Sequence, residues 1–556
     1  MNKKEIQHLV IKDLSIQFDT ELGQVQAVKD ISFHLNKGET LGIVGESGSG
    51  KSVTALSIMR LLANTATFKG QIHLEETDLL SLSLAEIGAL RGKEIAMIFQ
   101  EPMSSLNPII KCGVQIVEAI QQQENSKLDV AKKQTLELLQ KVQLTDAKRI
   151  YNAYPHELSG GQKQRIMIAM ALAAQPSILI ADEPTTALDV TVQKGILALL
   201  KDLKTEYQLS LIFISHDLGV IKQIADRILV MQKGEIVEVG TVAQIFEQAQ
   251  HPYTQGLLAC RPSQNQHLSK LPTLENKDKA AIPLKDTIQR QQIINQPTPL
   301  LKIEGLSTWY SAKKNFFGQT TDYVKAVDEV SFEVFKGETF GLVGESGCGK
   351  STLGRTILGL EKAKAGKVIY GDTDLMQLSK TAWQTWRKRL QIIFQDPYSS
   401  LNPAQPIGHA IQEPMQVHQL WGTDKNRKNK VIELLETVGL KEQHFLRFPH
   451  EFSGGQRQRI CIARALALQP EFIICDECVS SLDVSVQAQI LNLLIDLRSQ
   501  YDLTYIFISH DLSVVRFISD RIMVMKGGKV VEIGESEQLY QAPTSAYTKE
   551  LIAAIP

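Results

Sequence analysis

The chain is poor in cysteine, proline and aromatic residues, and it has no long apolar run. Six cysteines among 556 residues do not make a disulfide framework, and they suit a reducing compartment. Nineteen prolines and an aromatic share of 6% exclude collagen-like and proline-rich architectures. Net charge is also missing, because 60 Lys and Arg face 61 Asp and Glu. A protein that held nucleic acid through bulk charge would be basic, so no nucleic-acid partner is expected. The most apolar stretch, Ile166–Ala181, has 16 residues and contains Gln175 and Pro176. A spanning helix needs roughly 20 apolar residues, so any membrane role is expected to come through a partner. The opening MNKKEIQHLVIKDL carries no long apolar segment behind its lysines, and no secretory signal is expected. What remains is an ordinary globular composition, 43% hydrophobic and 22% charged, at a length that holds several domains.

The text of the chain is written twice. GESGSGKS at Gly45–Ser52 returns as GESGCGKS at Gly344–Ser351. IFQEPMSSLNP at Ile98–Pro108 returns as IFQDPYSSLNP at Ile393–Pro403. PHELSGGQKQR at Pro155–Arg165 returns as PHEFSGGQRQR at Pro449–Arg459, and FISHDL at Phe213–Leu218 returns at Phe507–Leu512. Lys51 and Lys350 are 299 positions apart, Gln100 and Gln395 are 295 apart, and Glu183 and Glu477 are 294 apart. A repeat of this length is a duplicated domain rather than a solenoid unit. The expected organisation is a first domain over 1–262, a linker over 263–299 and a second domain over 300–556. The linker is rich in Gln, Asn and Lys and carries four prolines, which predicts a mostly extended segment.

Short buried strands are predicted at Leu41–Gly45, Phe340–Gly344, Ile178–Asp182 and Leu211–Ser215. Helices are predicted over Lys51–Leu62 and Gly161–Ala173. Strands alternating with helices imply an α/β class with a largely parallel sheet.

Both Gly-rich segments match G-x-x-x-x-G-K-S between a strand and a helix, the context that a phosphate cradle requires. Glycines at Gly45, Gly48 and Gly50, and at Gly344, Gly347 and Gly349, let the backbone wrap phosphate oxygens with its N–H groups inward. Ser47 and Ser346 lie within the same loops, and the following helix adds its positive end. Lys51 and Lys350 then reach the terminal phosphates, and Ser52 and Ser351 are candidate Mg²⁺ ligands. Asp182-Glu183 and Asp476-Glu477 each end an apolar run. A strand end facing the phosphate loop places the Asp near the cation and the Glu near an attacking water.

With LSGGQ at Leu158–Gln162 and FSGGQ at Phe452–Gln456, the chain resembles the ATP-binding-cassette family. The resemblance covers nearly everything outside the linker. It includes Gln100 and Gln395, the segments Ala187–Asp189 and Ser481–Asp483, and the histidines His216 and His510. It implies, for each half, a RecA-like mixed sheet core with a helical subdomain, the two halves packed head to tail. It implies that Glu183, Glu477, His216 and His510 are catalytic, and that Gln100, Gln395, Asp182 and Asp476 join the serines at Mg²⁺. It implies that Ser159, Gly160, Gly161 and Gln162, and Ser453, Gly454, Gly455 and Gln456, contact ATP held by the opposite half. Phe18 and Tyr310 are the expected adenine-stacking residues, with Trp309 a competitor. Two competent sites are expected, although Phe452, Cys478 and Ser481 depart from the first copy's Leu158, Pro184 and Ala187.

The ends HPYTQGLLAC (His251–Cys260) and SAYTKELIAAIP (Ser545–Pro556) resemble the oligopeptide/dipeptide branch of bacterial importers. That branch implies peptide cargo: di- or oligopeptides, glutathione or microcin-like peptides. The implied partners are two integral membrane permease subunits, read as a heterodimer from Met103 against Tyr398, and an extracytoplasmic substrate-binding protein. The loops after Gln100 and Gln395, with Glu101 and Asp396, would receive the permeases, with the chain peripheral on the cytoplasmic face of the membrane. Only Cys260 precedes the linker, so no iron–sulfur cluster is expected. The alternative is a soluble tandem-cassette ATPase of the translation or DNA-repair class. It is disfavoured by a linker with several prolines and by the lack of inserted CxxC pairs. Cys475 and Cys478 bracket the second carboxylate pair, with no further pair to complete a metal site. Cys348, beside Lys350 at a helix start, is expected to have a lowered thiol pKa and to be open to alkylation.

Overall fold

In the computed structural model the described residues are 6–20, 23–100, 105–124, 126–186, 188–262, 269–274, 292–314, 320–480 and 482–555. They fall into two compact units, one ending at Leu258 and the other running from Ala259 to Ile555.

The first unit is built on ten strands. They are β1 (Gln7–Thr20), β2 (Gly23–Asn36), β3 (Thr40–Val44), β4 (Ala66–Leu74), β5 (Thr77–Asp78), β6 (Ile95–Ile98), β7 (Ile178–Asp182), β8 (Ser210–Ser215), β9 (Arg227–Gln232) and β10 (Glu235–Thr241). Strands β3, β7 and β8 are buried along their whole length. They read as continuous apolar runs, as strands covered on both faces do. Six strands form one sheet in the order β10-β9-β3-β8-β7-β6, parallel except at β10. A separate antiparallel sheet has the order β2-β1-β4-β5. One apolar core is shared by both sheets and by the helix Lys51–Ile58, through Leu14, Ile31, Ile43, Ala55, Ile58, Ile180 and Ile212. Between β6 and β7 the chain leaves the sheet to form a helical subdomain: Cys112–Glu124, Leu128–Lys141, Ala147–Asn152 and Gly160–Ala171.

The second unit repeats this plan. Its strands are β11 (Leu301–Lys314), β12 (Thr320–Val334), β13 (Thr339–Val343), β14 (Ala365–Tyr370), β15 (Thr373–Asp374), β16 (Leu390–Ile393), β17 (Phe472–Asp476), β18 (Thr504–Ile508), β19 (Arg521–Lys526) and β20 (Lys529–Glu535). The sheet orders are β12-β11-β14-β15 and β16-β17-β18-β13-β19-β20, the same neighbours as in the first unit. Its helical subdomain includes Ile407–Val417, Asp424–Thr437 and Gly454–Leu466.

Two local features differ from the expectations. The helix from Lys51 stops at Ile58 rather than Leu62, because Arg60 turns to φ 49° and Leu61 N–H returns to the Leu56 carbonyl. Residues 269–274, assigned by composition to the linker, pack onto the second unit. Leu271 is buried in its core with Cys260, and the Asn492 side chain exchanges two hydrogen bonds with the Leu271 backbone, 2.9 and 2.8 Å.

Candidate active site

Strand register brings the separated motifs together. Parallel strands β3, β8, β7 and β6 lie side by side, with Val44 opposite Ser215, Asp182 opposite Ile214 and Ile98 opposite Ala181. Their carboxyl ends therefore form one row, the usual place for a ligand on an open α/β sheet. The Gly45–Ser52 loop follows β3, His216 follows β8, Glu183 follows β7, and Gln100 comes two residues after β6. The same row forms at β13, β18, β17 and β16, with Asp476 opposite Ile508 and Ile393 opposite Cys475.

The loop conformation requires glycine. Gly50 has φ 100°, and a Cβ there would sit 2.9 Å from the Ala27 carbonyl. At Gly349, φ 104°, a Cβ would run into the Ala326 carbonyl. Lys51 is buried, and its Nζ donates to the Gly45 and Glu46 carbonyls at 2.7 and 2.9 Å. Lys350 donates likewise to Gly344 and Glu345 at 2.8 and 2.9 Å. Each ammonium is thus arched over the mouth of its own loop.

Ser52 Oγ donates to Asp182 Oδ1 at 3.1 Å, and Ser351 Oγ to Asp476 Oδ1 at 2.7 Å. Burial pushes the Asp182 carboxyl up to about 6, countered in part by the Ser52 hydroxyl. Burial raises Asp476 too. Arg355 Nη2 stands 4.0 Å from Asp476 Oδ2, at a position that Leu56 fills in the first unit.

Glu183 is nine-tenths buried and sits in the left-handed backbone region at φ 47°, as Glu477 does at φ 48°. Such strain in a non-glycine residue persists where the surroundings over-determine it. Here the Glu183 N–H donates to the Ile214 carbonyl of β8, 3.0 Å away. Three groups meet one carboxylate oxygen, Glu183 Oε2: Gln100 Nε2 at 3.1 Å, Thr186 Oγ1 at 2.9 Å and His216 Nδ1 at 3.0 Å. Glu477 Oε2 has Gln395 Nε2 at 2.9 Å and His510 Nδ1 at 3.4 Å. Burial alone would raise both glutamates. The histidines, with Thr186 and Lys51 at Glu183 and Lys350 at Glu477, outweigh it and hold both carboxyls below the ordinary range. Burial disfavours the charged form of His510, yet Glu477 raises its pKa overall. Neither Thr186 nor Arg355 was singled out by sequence reasoning. A loop threonine and a helix arginine carry no local sign of what they face.

The signature segments start helices. Ser159 caps Gly160–Ala171 by accepting from Gln162 N–H at 3.3 Å, while Gln162 Oε1 accepts from Ser159 N–H at 3.1 Å. Ser453 and Gln456 form the same reciprocal box at 3.4 and 3.1 Å. In each, the serine oxygen accepts, which leaves its O–H free to donate outward beside the Gly160–Gly161 or Gly454–Gly455 amides. Gly161 and Gly455 are required by packing, because a Cβ would strike Val192 or Val486.

Phe18 and Tyr310 lie on β1 and β11, whose partner strands touch the phosphate loops at Ala27 and Ala326. Phe18 is half-buried against the core, whereas Tyr310 is 40% exposed. Trp309 has Lys325 Nζ 4.8 Å over its ring and Tyr323 beside it, which leaves Tyr310 the freer surface. Ala187, Glu101, Met103 and Ser481 lie outside the described residues.

One expectation is overturned. Cys348 does not have a lowered thiol pKa: it is 5% exposed, and burial raises the pKa more than Lys350 lowers it. Its Sγ lies 3.8 Å from Lys350 Nζ, and its backbone carbonyl accepts from Gly528 N–H at 3.0 Å.

Comparison with known proteins agrees with this geometry. The ABC transporter model matches residues 28–186 and 327–480, and the model for the C-terminal region of oligopeptide/dipeptide transporters matches 237–285 and 531–556. The chain is 47% identical over 99% of its length to the glutathione import ATP-binding protein GsiA of Shigella dysenteriae serotype 1, covering 89% of that protein. It is also 47% identical, with the same coverages, to the protein of that name from Salmonella typhimurium. Among solved structures, the dimeric MJ0796 cassette bound to ADP and Pi is 27% identical, with a TM-score of 0.38 over 42% of this chain and 98% of that one. With the family's motifs set in one row of strand ends in each half, and relatives of this identity over nearly all of the chain, the protein belongs to the ABC transporter family, as a tandem ATP-binding cassette.

Proposed function

We propose that this chain is the ATP-hydrolysing motor of a bacterial importer for glutathione or other short peptides. One observation carries the chemistry. In each unit a glutamate, buried in the first and largely buried in the second, has one oxygen, Oε2, engaged by the glutamine and histidine of flanking strand ends. Oε1 takes no hydrogen bond among the described residues. A carboxylate fixed through one oxygen and held ionised by its neighbours is poised to take a proton with the other from an attacking water. Lys51 and Lys350 would turn their ammonium groups from loop carbonyls to the terminal phosphate. The 2-glycine signature amides and the serine O–H supply further donors for a phosphate.

Mg²⁺ fits the same place. Among the described residues no group of three His, Cys, Asp or Glu could hold a metal alone. A serine hydroxyl bonded to a buried carboxylate is, however, the hard oxygen pair that Mg²⁺ shares with a nucleotide's phosphates. Ser52 and Asp182, and Ser351 and Asp476, would hold it, with Gln100 and Gln395 alongside. Once bound, the ion neutralises charge on the phosphates.

The cargo reading rests on the glutathione-import relatives and on the oligopeptide/dipeptide segment at both unit ends. No helix among the described residues is long and apolar enough to cross a membrane. Transport then requires permease partners, read here as two different subunits served by a binding protein outside the membrane, with this chain peripheral on the inner face. A cavity of about 690 Å³ beside the loop after Gln395 suits a permease's cytoplasmic helix. Asn402, Gln405, Glu413 and Arg464 supply its polar lining, and Val417 at its rim is 71% exposed.

The test combines uptake with hydrolysis. A strain without this gene should lose uptake of labelled glutathione or of short peptides, and should regain it with the native chain. The double variant Glu183→Gln with Glu477→Gln should bind ATP, turn over at least about 100-fold more slowly and fail to restore uptake. Normal turnover by that variant would refute the catalytic reading, and unchanged uptake of every peptide tested would refute the cargo reading.

A further inference from the structure

The two catalytic glutamates are not held alike. After each one the chain makes the same turn: Thr186 N–H bonds the Glu183 carbonyl at 3.2 Å, and Ser480 N–H bonds the Glu477 carbonyl at 3.2 Å. In the first unit the turn delivers the Thr186 hydroxyl to Glu183 Oε2 at 2.9 Å. In the second the hydroxyl at the matching position, Ser480 Oγ, is buried and has no hydrogen-bond partner among the described residues. The histidine also stands farther off, 3.4 Å at Glu477 against 3.0 Å at Glu183. Threonine's second substituent on Cβ restricts χ1, so its hydroxyl stays where the turn aims it, whereas serine rotates freely.

We infer that Thr186 is a positioning residue for Glu183, and that the site of Lys51 turns over ATP faster than the site of Lys350. This rests on the hydrolytic reading above and goes further, by ranking two sites whose motif residues are nearly identical. Thr186 touches neither nucleotide nor water in this role. It acts by fixing Oε2, so that Oε1 is presented to the water in one orientation. Orientation of a base is expressed in the transition state, so its loss falls on kcat rather than on KM.

The experiment is steady-state ATPase kinetics on the full chain, with ATP affinity and thermal stability measured alongside. Thr186→Val keeps the shape and removes the hydroxyl. It should lower kcat on the order of fivefold with KM for ATP unchanged, as for loss of one ordinary hydrogen bond. Thr186→Ser should recover part of the loss, and Ser480→Ala should leave kcat at the native value. Of the single glutamate variants, Glu477→Gln should retain more activity than Glu183→Gln. The inference is overturned if Thr186→Val keeps the native kcat, if its defect lies in KM, if Ser480→Ala costs as much, or if the two glutamate variants retain equal rates. Native activity in Glu183→Gln would instead sink the underlying assignment of the base, so the two failures are distinct.

Discussion

Arg459 Nη2 donates to Gln489 Oε1 at 3.0 Å, tying the signature helix Gly454–Leu466 to the helix Val484–Tyr501. The first unit has the same arginine, Arg165, but glycine at the matching position, Gly195. Arg165 Nη1 bonds the Val142 carbonyl and Gln143 Oε1, and Nη2 has no acceptor among the described residues. A cavity of about 390 Å³ opens beside Gly195 and Arg165. Gly195→Gln should fill it. A Cβ at Gly195 meets only Arg165 Nη2, at 3.3 Å, the movable end of a long side chain. Replacing a helix-interior glycine and completing the tie should stabilise the first unit by about 1–2 kcal/mol. Calorimetry should show one transition moving up by roughly 2–6 °C, while Gln489→Gly moves the other down. A lowered transition in Gly195→Gln would mean that the cavity cannot take the amide.

Asp182 supplies a pH test with a definite sign. Its carboxyl has an ordinary value of 3.8 and is raised to about 6 in the fold. The folded chain therefore binds this proton more tightly than the unfolded chain. Its contribution to stability is lowest above pH 6, grows as pH falls through 6, and is complete below 3.8. The shift of about two pH units corresponds to roughly 3 kcal/mol at most. Asp182→Asn removes the titration. In buffer with EDTA, the native chain should gain melting temperature relative to Asp182→Asn as pH is lowered from 7.5 to 5.5. A difference that stays flat over that range would show that Asp182 is not desolvated.

The six cysteines are all buried. Burial pushes the thiols of Cys112 and Cys461 up to about 11 and raises that of Cys348, while a hydrogen bond to Cys478, together with burial, raises that of Cys475. Thiolate is the reactive form, so such groups are inert. A disulfide reagent at neutral pH should find no fast thiol in the native chain and six after denaturation. Cys348→Ser should leave the native labelling curve unchanged. A fast phase that disappears in this variant would restore the reactive Cys348 expected from its place in the motif.

Which parts of the site were legible follows from the range of each interaction. Gly50 and Gly349 announce themselves because a local backbone conformation excludes every other residue. Asp182 and Glu183 are visible because an apolar strand ends on them. The order β3-β8-β7-β6 is not visible, since it pairs segments 32 to 171 residues apart. Only that order brings Gln100 to 3.1 Å from Glu183. The resemblance to a family stood in for it. Thr186 and Ser480 differ by one methyl group in sequence, and their different hydroxyl contacts appear only once the carboxylate beside them is placed. Cys348 was misjudged because charge and helix position are read along the chain, while the burial that dominates it is not.

The docked segment at 269–274 has its own test. Asn492 forms both hydrogen bonds to the Leu271 backbone, and Lys270 Nζ lies 2.6 Å from Asp496 Oδ1 on the same helix face. The first unit has Ala198 where Asn492 stands, so this clamp belongs to the second unit alone. An amide that satisfies both a backbone N–H and a backbone carbonyl holds the strand in one register. The Lys270 pair is half-exposed and adds little. Asn492→Ala should therefore release the segment without unfolding the unit, costing about 1–2 kcal/mol of local protection. Cleavage after Lys270 by trypsin should rise about tenfold, while Asp496→Ala raises it about twofold or less. Equal protection in Asn492→Ala would mean that Leu271, buried in the core at 4% exposure, anchors the segment by itself, and Leu271→Ala would then be the variant that frees it.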